Sequence, residues 1–353
     1  MCITPPISLV RSNIFRHFQS LGLGPVAAQN RFHLSNPGAP RWLKPQVGSD
    51  VISFPFPRYW TNALSGDELQ DIVYRSSKML ERIHQLTPKD ATTFFTPTPE
   101  VIPLPFPAIY RSLPERFTMS GNAEWNYIPR EKFQDLLTGV FELIATPRAG
   151  LWLFGTIGYG KSHLLAALVC YLSATGYRVV YIPDCCACLD NPFGYVQAAM
   201  ALCWAGSPSL LTEIMALKTR DSISRFFSRQ PAGDKPIIFV IDQMNALEPA
   251  SPASAESARN GEKIGLESWL KECSSWHKRV YSSSANYTSY LESLKKQMNL
   301  IRVNAFGGLT PVRIMITQCL YTCLYCLRAS CDIGGNATIT STVPAIPKTR
   351  SKI

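Results

Sequence analysis

The chain has 353 residues, of which 46% are apolar and only 17% are charged, and this composition excludes a protein that is disordered along most of its length. Its length suffices for one large or two modest domains with a sizeable core. The net charge is +10, but no acidic residue precedes Asp50, so the charge alone is a weak indication of a nucleic-acid partner.

Residues 1–50 are predicted to form a basic amino-terminal tail or a presequence. Arg11, Arg16 and Arg31 are interleaved with apolar residues and no acid, which is typical of a mitochondrial transit peptide. An unstructured basic tail accounts for the same composition, and both interpretations stay open. The first implies a mitochondrial location, and the second implies the cytoplasm or the nucleus.

Residues 51–115 are predicted to form a helical and proline-rich arm. From Gly66 to Leu86 the apolar residues recur at helical spacing, which predicts one amphipathic helix. Between Thr92 and Pro107 five prolines exclude a regular helix and mark a boundary.

A second block, residues 116–311, is predicted to alternate strands and helices. In it, a helix over 131–146 precedes a short apolar strand over 150–154. Ahead of that helix, Trp125, Tyr127 and Ile128 either lie against an adenine ring or belong to the core.

Residues 155–162, GTIGYGKS, match the phosphate-binding pattern G-x-x-x-x-G-K-[ST], known as Walker A. Its glycines let the backbone turn sharply and bring N–H groups around a triphosphate. We expect Lys161 to contact the β- and γ-phosphates and the Ser162 hydroxyl to bind Mg²⁺. A predicted helix over 163–174 directs its partly positive N-terminus at the same anion. The predicted nucleotide-binding residues are Gly155, Gly158, Tyr159, Gly160, Lys161, Ser162 and His163.

A later apolar strand that ends in a carboxylate is the expected partner of this loop. A strand over 178–182 and a helical region over 193–227, broken at 206–208, come first. Residues 236–241 then have the pattern of a buried strand and end at Asp242, which is the Walker B arrangement. We expect Asp242 to hold the Mg²⁺ shell.

Gln243 stands where many related ATPases carry an acid that polarises the attacking water. Glutamine can position a water molecule but cannot take its proton. Glu248 is a substitute if the loop that follows the strand folds back. The sequence therefore predicts slow or partner-dependent hydrolysis.

Two more strands complete the predicted sheet. After a short helix over 266–273, residues 279–286 form a strand pattern, and Ser284 or Asn286 at its end either senses the γ-phosphate or caps the next helix. A last strand is predicted over 300–306. Five strands with helical connections predict a three-layer α/β/α P-loop NTPase with a mainly parallel five-stranded sheet. The candidate catalytic residues are Lys161, Asp242, Gln243 and Asn286.

The segments GTIGYGKSHLLAAL, RVVYIPDC, IIFVIDQMNALE, RVYSSSANY and FGGLT together resemble the P-loop ATPase module of retrotransposon-hot-spot and Crinkler-type proteins, which stand near the AAA+ and STAND ATPases. The resemblance covers residues 125–310, and DQ-x-N-x-L and SSSAN are its most telling parts. It implies ATP binding by the glycines, lysine and serine of the loop, with Mg²⁺ near Asp242. Such modules are often joined to a restriction-type nuclease, but we expect none in the 43 residues after Thr310, which show no paired acidic and lysine motif.

Residues 312–353 are predicted to form an apolar, cysteine-rich tail of unknown role. Cys319, Cys323 and Cys326 fit C-x₃-C-x₂-C, an iron–sulfur spacing of radical enzymes. The leucines and tyrosines between the cysteines favour a core helix or an exposed apolar tail instead.

The cysteines and the hydropathy of the chain give two further expectations. Many of the eleven cysteines lie inside apolar runs, which together with an ATP motif favours reduced thiols over a disulfide framework. No uncharged apolar run of membrane-spanning length precedes the loop, so no transmembrane span is expected there.

Three functions stay open from the sequence. The first is an ATP-dependent molecular switch or weak ATPase that acts on a protein partner or on a second copy of the chain. The second is a DNA-associated or mobile-element ATPase, and the third is a mitochondrial nucleotide-binding protein. ATP is favoured over GTP because no guanine-reading N/T-K-x-D motif occurs in the chain.

Overall fold

The computed structural model of the chain describes residues 65–98, 100–109, 114, 116–117, 124–148, 150–155, 158–230, 236–284 and 300–305. Its helices are α1 (Gly66–Leu86), α2 (Thr92–Phe95), α3 (Lys132–Ala145), α4 (Lys161–Ala174), α5 (Cys185–Asp190), α6 (Pro192–Cys203), α7 (Pro208–Ala216), α8 (Arg220–Arg229) and α9 (Asn260–Cys273), with 3₁₀ turns at Met244–Leu247 and Ala255–Arg259. Its strands are β1 (Ile102–Pro105), β2 (Glu124–Tyr127), β3 (Gly150–Gly155), β4 (Arg178–Ile182), β5 (Ile237–Ile241), β6 (Lys278–Ser284) and β7 (Leu300–Asn304). The predicted amino-terminal tail, Asn286 and the cysteine-rich tail lie outside the described residues.

Five of the strands form one sheet in the order β4–β5–β6–β3–β7, and every pairing in it is parallel. The strand β6 lies between β3 and β5, so that Gly155 pairs with Ser284 and Ile241 pairs with Tyr281. This is an α/β P-loop NTPase fold, and the prediction of fold class is confirmed. Because parallel strands end at the same edge, the loop after β3 and the carboxylate after β5 meet there.

Side chains along the central strands alternate between two core clusters. In β5, Ile238 and Val240 face one cluster, while Ile237, Phe239 and Ile241 face the other. All five are at most 1% exposed. A strand that is apolar on both faces belongs in the middle of a sheet covered by helices on each side, which is the three-layer arrangement that the sequence predicted.

The helix α4 is buried on all sides and is thereby fixed against the sheet. Every residue from Leu164 to Leu172 is buried, because α4 packs between α1, α3 and the sheet. A helix that is hydrophobic all round requires such surroundings. The rigid packing sets the position of its N-terminus at the carboxyl edge of the sheet.

The helix α1 begins and ends at the predicted residues. Its N-terminus is a capping box, in which Glu68 N–H donates to Ser65 Oγ at 3.3 Å and Ser65 N–H donates to Glu68 Oε2 at 3.0 Å. Its apolar face carries Leu69 and Ile72 into the same core cluster as one face of β5. No helix within the described ranges is long and apolar enough to cross a membrane.

Two segments contain more regular structure than the sequence predicted. The proline-rich segment includes the short helix α2 and the strand β1, which pairs with β2 in an antiparallel ribbon. Prolines are tolerated in β1 because an edge strand leaves one row of N–H positions unpaired. The helix α9 begins at Asn260, six residues before the predicted start, where the Asn260 side chain bonds Ala250 N–H at 2.7 Å and Ala250 O at 2.9 Å.

Candidate functional site

The loop between β3 and α4 turns at glycines. Gly158 has φ +90° and Gly160 has φ +71°, and Gly155 at the end of β3 has φ +156°. Residues with a Cβ rarely adopt such angles. Thr156 and Ile157 lie outside the described residues. The glycines of the Walker A pattern therefore lie at positions with positive φ, a conformation that favours glycine.

Gly160 is also in close contact with a buried arginine. A Cβ at this position would overlap Nη1 of Arg130. Arg130 is 6% exposed, and its Nη1 donates to Tyr159 O at 3.4 Å. Arg130 thus holds a positive charge against the loop. No motif pointed to this residue, and the sequence analysis missed it.

Replacing Gly160 with Ala is expected to damage the loop more than replacing Gly158. Both substitutions place a Cβ at positive φ, which costs about 1–2 kcal/mol. Only the Cβ at Gly160 also meets a guanidinium, because nothing lies within 4 Å of a Cβ at Gly158. Urea unfolding and titration with a fluorescent ATP analogue should show the larger loss for Gly160→Ala.

Gly66→Ala is the control, since this glycine lies in the first turn of α1 with open space around a Cβ. It should leave nucleotide affinity unchanged. Equal losses for Gly158→Ala and Gly160→Ala would show that the contact with Arg130 does not matter.

The N-terminus of α4 has the properties of an anion site. The helix begins at Lys161, two residues before the predicted start, because the left-handed Gly160 serves as its N-cap. Its first turn contains no acidic side chain, and its N-cap supplies no side-chain hydrogen bond. The partial positive charge of this helix end is therefore not offset by side chains of its own first turn.

Lys161 brings a full charge to the same place. Its side chain is 9% exposed and its Nζ donates to Gly155 O at 2.7 Å. Burial lowers the pKa of Lys161, and the nearby charge of Asp242 counteracts this shift. Since burial disfavours the ammonium form, a polyphosphate bound at the loop would stabilise it.

Asp242 follows β5 directly and is 1% exposed. Its N–H donates to Ile182 O at 2.9 Å, which extends the pairing of β4 with β5 by one residue. Its Oδ1 accepts from Gln243 N–H at 2.9 Å and from the Ser282 hydroxyl, and Gln243 N–H also donates to Ser282 Oγ at 3.1 Å. A buried carboxylate needs such partners, and these hold Asp242 in one orientation.

Ser282 is a site residue that the sequence analysis missed. Ser284 and Asn286 were the predicted polar side chains at the end of this strand, and the structure describes neither side chain. Ile241 lies opposite Tyr281 in the sheet, so the next residues along the two strands, Asp242 and Ser282, are neighbours. This pairing is determined by the register between the two parallel strands, which could not be predicted from the sequence.

Gln243 has φ +60° and ψ +41°, and it is the one non-glycine residue with positive φ among the described residues. It is the N-cap of the 3₁₀ turn Met244–Leu247. A left-handed conformation costs a residue with a side chain about 1 kcal/mol. The hydrogen bonds from its N–H to Asp242 and Ser282 hold this conformation, so the turn after β5 is tied to the carboxylate.

The aromatic residues before and after the loop are packing residues. Trp125 and Tyr127 are 1% and 0% exposed in β2, which supports the core alternative for both. The His163 ring centroid lies 4.7 Å from that of Phe117 and 5.5 Å from that of Trp125. Burial, helped by the nearby arginines, lowers the pKa of His163 to about 3, so its ring is neutral at pH 7.

The donors at this edge suit Mg²⁺ in a site shared with phosphate. Magnesium prefers oxygen ligands and is commonly held by one or two carboxylates together with substrate phosphates. Asp242 supplies a carboxylate, and Ser162 in the first turn of α4 supplies a hydroxyl. Within the described ranges no group of three or more His, Cys, Asp or Glu side chains could hold a metal ion. The six cysteines of these ranges are free thiols.

Comparisons with known proteins give structural likeness over part of the chain. No protein-family model and no curated protein matches the sequence. A DNA replication initiation factor is similar over 49% of this chain and 46% of its own, with a TM-score of 0.26 and 15% sequence identity. DnaA from Aquifex aeolicus with AMPPCP bound is similar over 48% of this chain and 44% of its own, with a TM-score of 0.26 and 15% identity. Drosophila ORC bound to AT-rich DNA and Cdc6 is similar over 79% of this chain and 37% of its own, with a TM-score of 0.30 and 9% identity. The chain spans less than half the length of each. Its P-loop NTPase fold follows from its own strand order and loop.

Proposed function

We propose that this protein binds ATP with Mg²⁺ at the loop before α4 and acts as a molecular switch whose hydrolysis is slow or depends on a partner. Its support is the meeting of a left-handed glycine loop, a buried lysine and a buried aspartate at one sheet edge. Asp242 acts on the pKa of Lys161, so the two charges lie within each other's field. Charged residues are rarely buried unless they are paired. An ordinary turn between a strand and a helix requires neither a buried lysine nor a buried aspartate.

Each residue has a separate part in this proposal. The N-terminal turn of α4 would hold the phosphates, and Lys161, whose Nζ donates to Gly155 O, would donate to the β- and γ-phosphate oxygens instead. Ser162 and Asp242 would hold Mg²⁺, which would supply positive charge to the phosphates. Ser282 keeps the Asp242 carboxylate oriented through its hydroxyl.

Hydrolysis is expected to be slow because the residue after Asp242 is an amide. Gln243 is fixed by its N–H, and its side chain can orient a water molecule without accepting a proton. Glu248, at the end of the 3₁₀ turn, is the next acidic residue after Gln243. A partner that completes the site would raise the rate, which is how a switch differs from a constitutively active enzyme.

Gln243→Glu tests whether the missing base limits the rate. If it does, turnover should rise by about tenfold or more, since a positioned general base contributes on the order of 10²-fold. The measurement is phosphate release by the full chain at saturating Mg·ATP. Gln243→Asn is the matched control, because asparagine tolerates the left-handed conformation and adds no base. An unchanged rate for Gln243→Glu would show that geometry or a partner is limiting.

The proposed function itself is tested by titrating the full chain with fluorescent ATP and GTP analogues, each with Mg²⁺ and with EDTA. We expect binding that is tighter for ATP and tighter with Mg²⁺. A chain that folds and binds neither nucleotide would overturn the proposal.

A DNA-associated ATPase is the second candidate, and the net charge of +10 favours it. DNA binding of this kind weakens steeply as salt is raised, because counterions are released on binding. DNA that binds in this way and raises ATP turnover would favour this candidate over the simple switch.

A mitochondrial nucleotide-binding protein is the third candidate, and it depends on the presequence interpretation of the first fifty residues. A tagged full-length chain should then be processed near residue 30 and found in mitochondria. An unprocessed chain in the cytoplasm or the nucleus would exclude it.

A further inference from the structure

A side chain from outside the loop contacts the aspartate that is assigned to Mg²⁺. Arg116 Nη2 lies 3.3 Å from Asp242 Oδ2, and Arg116 Nη1 lies 3.2 Å from Asp184 Oδ2. Nη2 also donates to Pro183 O. The guanidinium therefore joins the carboxyl ends of β4 and β5.

This contact engages the second oxygen of the Asp242 carboxylate. Its Oδ1 already accepts from Ser282 and from Gln243 N–H, and Arg116 is the cation at Oδ2. The Arg116 side chain is 22% exposed, whereas that of Asp242 is 1% exposed. A buried carboxylate next to a partly exposed guanidinium has its charge compensated from the solvent side.

Asp184 provides a second anchor for the same arginine. Its Oδ1 caps α5 by accepting from Cys186 N–H at 2.8 Å and Ala187 N–H at 3.1 Å, while its Oδ2 pairs with Arg116. Asp184 is thereby fixed by the helix it caps. If Arg116 left Asp242, the pair with Asp184 would remain and the guanidinium would stay partly satisfied.

We propose that Arg116 is an autoinhibitory latch that occupies Oδ2 of Asp242 while the nucleotide site is empty and is released when Mg·ATP binds. The latch rests on the proposed ATP function. Two cations at one carboxylate oxygen repel each other, so the guanidinium and Mg²⁺ compete for Asp242. Part of the binding energy of Mg·ATP is then used to break the ion pair, and the empty state is favoured by the same amount.

The residue after Arg116 connects the latch to the rest of the site. Phe117 is 5% exposed, and its ring centroid lies 4.6 Å from that of Phe106, 5.3 Å from that of Trp125 and 4.7 Å from that of His163. The residue next to Arg116 is therefore anchored in the packing between the β1–β2 ribbon and the first turn of α4. This is where a partner could sense the nucleotide state.

The test is the Mg²⁺ dependence of nucleotide affinity in the full chain, measured with a fluorescent ATP analogue in saturating Mg²⁺ and in EDTA. For Arg116→Gln the ratio of Kd in EDTA to Kd in Mg²⁺ should rise about tenfold above that of the parent. Arg116→Lys should shift the ratio less and in the same direction, because an ammonium cannot bridge both carboxylates.

Arg82→Gln is the matched control. Arg82 Nη2 lies 3.1 Å from Glu124 Oε1 in a partly buried pair between α1 and β2, away from the two strand ends that Arg116 joins. This substitution removes an ion pair of the same kind and should leave the Kd ratio at the parental value. A ratio that rises equally in both variants would overturn the latch.

Other outcomes are equally decisive. If Arg116→Gln weakens binding equally with Mg²⁺ and with EDTA, Arg116 is a phosphate ligand and the latch is wrong. If the parent shows Mg²⁺-dependent binding and Arg116→Gln leaves the ratio unchanged, the latch is wrong and the proposed function stands. A parent that binds no nucleotide overturns both.

A second measurement needs no nucleotide. In metal-free urea unfolding, Arg116→Gln and Asp242→Asn should be coupled in a double-mutant cycle, because they remove the two ends of one ion pair. Additive effects would overturn the latch even if the single variants lose affinity through altered folding.

Discussion

Lys161→Ala is expected to abolish nucleotide binding, with a loss of affinity of at least about 100-fold. The Lys161 ammonium is buried, lies 2.7 Å from Gly155 O and is close enough to Asp242 for their charges to interact. The first turn of α4 has no acidic side chain that would repel the phosphates, so the positive charge of Lys161 acts on them unopposed by its own turn. Titration of the full chain with a fluorescent ATP analogue measures the loss, which should be present both in Mg²⁺ and in EDTA.

Lys132→Ala is the control for this loss. Lys132 lies on α3, where it forms a surface pair with Asp135 at 2.8 Å. Such pairs contribute about 0–1 kcal/mol to stability, so this variant should fold normally and bind as the parent does. Circular dichroism and urea unfolding check that Lys161→Ala is folded. A folded Lys161→Ala chain that binds within a few-fold of the parent would show that the loop is not a phosphate site.

The parts of the fold that could be predicted are those set by neighbouring residues in the chain. The run of apolar residues in β5 is typical of a strand buried on both faces, and it ends at Asp242, which the sequence analysis had already selected. The positions of Gly158 and Gly160 could be predicted because glycine is the residue that adopts positive φ at little energetic cost. The start of α1 is also set locally, because the capping box joins Ser65 and Glu68, which are three residues apart in the chain.

The parts that could not be predicted depend on contacts between distant segments. Arg116 is far along the chain from both carboxylates that it joins, and the sequence around it carries no pattern. Arg130 reaches Gly160 only because α3 and α4 pack side by side. Ser282 was missed because one residue of register between β5 and β6 decides which serine faces Asp242. In each case the sequence gives the residue type but not the residue that it contacts in the folded chain.

Asp242→Asn is expected to remove the Mg²⁺ dependence of nucleotide binding. The amide oxygen of asparagine can still accept from Ser282 and Gln243 N–H, so the turn after β5 should persist. The negative charge is lost, and with it the attraction for a divalent cation. The ratio of Kd in EDTA to Kd in Mg²⁺ should fall by about tenfold or more, to a value near one.

Asp190→Asn controls for the loss of a carboxylate. Asp190 ends α5, is 74% exposed and pairs with Arg259 at 3.2 Å, so its removal should leave the Kd ratio unchanged. Equal affinity of the parent in Mg²⁺ and in EDTA would contradict the role given to Asp242. Lys161→Ala should lower affinity under both conditions, whereas Asp242→Asn should lower it in Mg²⁺ alone. That difference distinguishes a residue that binds phosphate from one that binds the metal. A general loss of folding would lower affinity under both conditions and would not produce it.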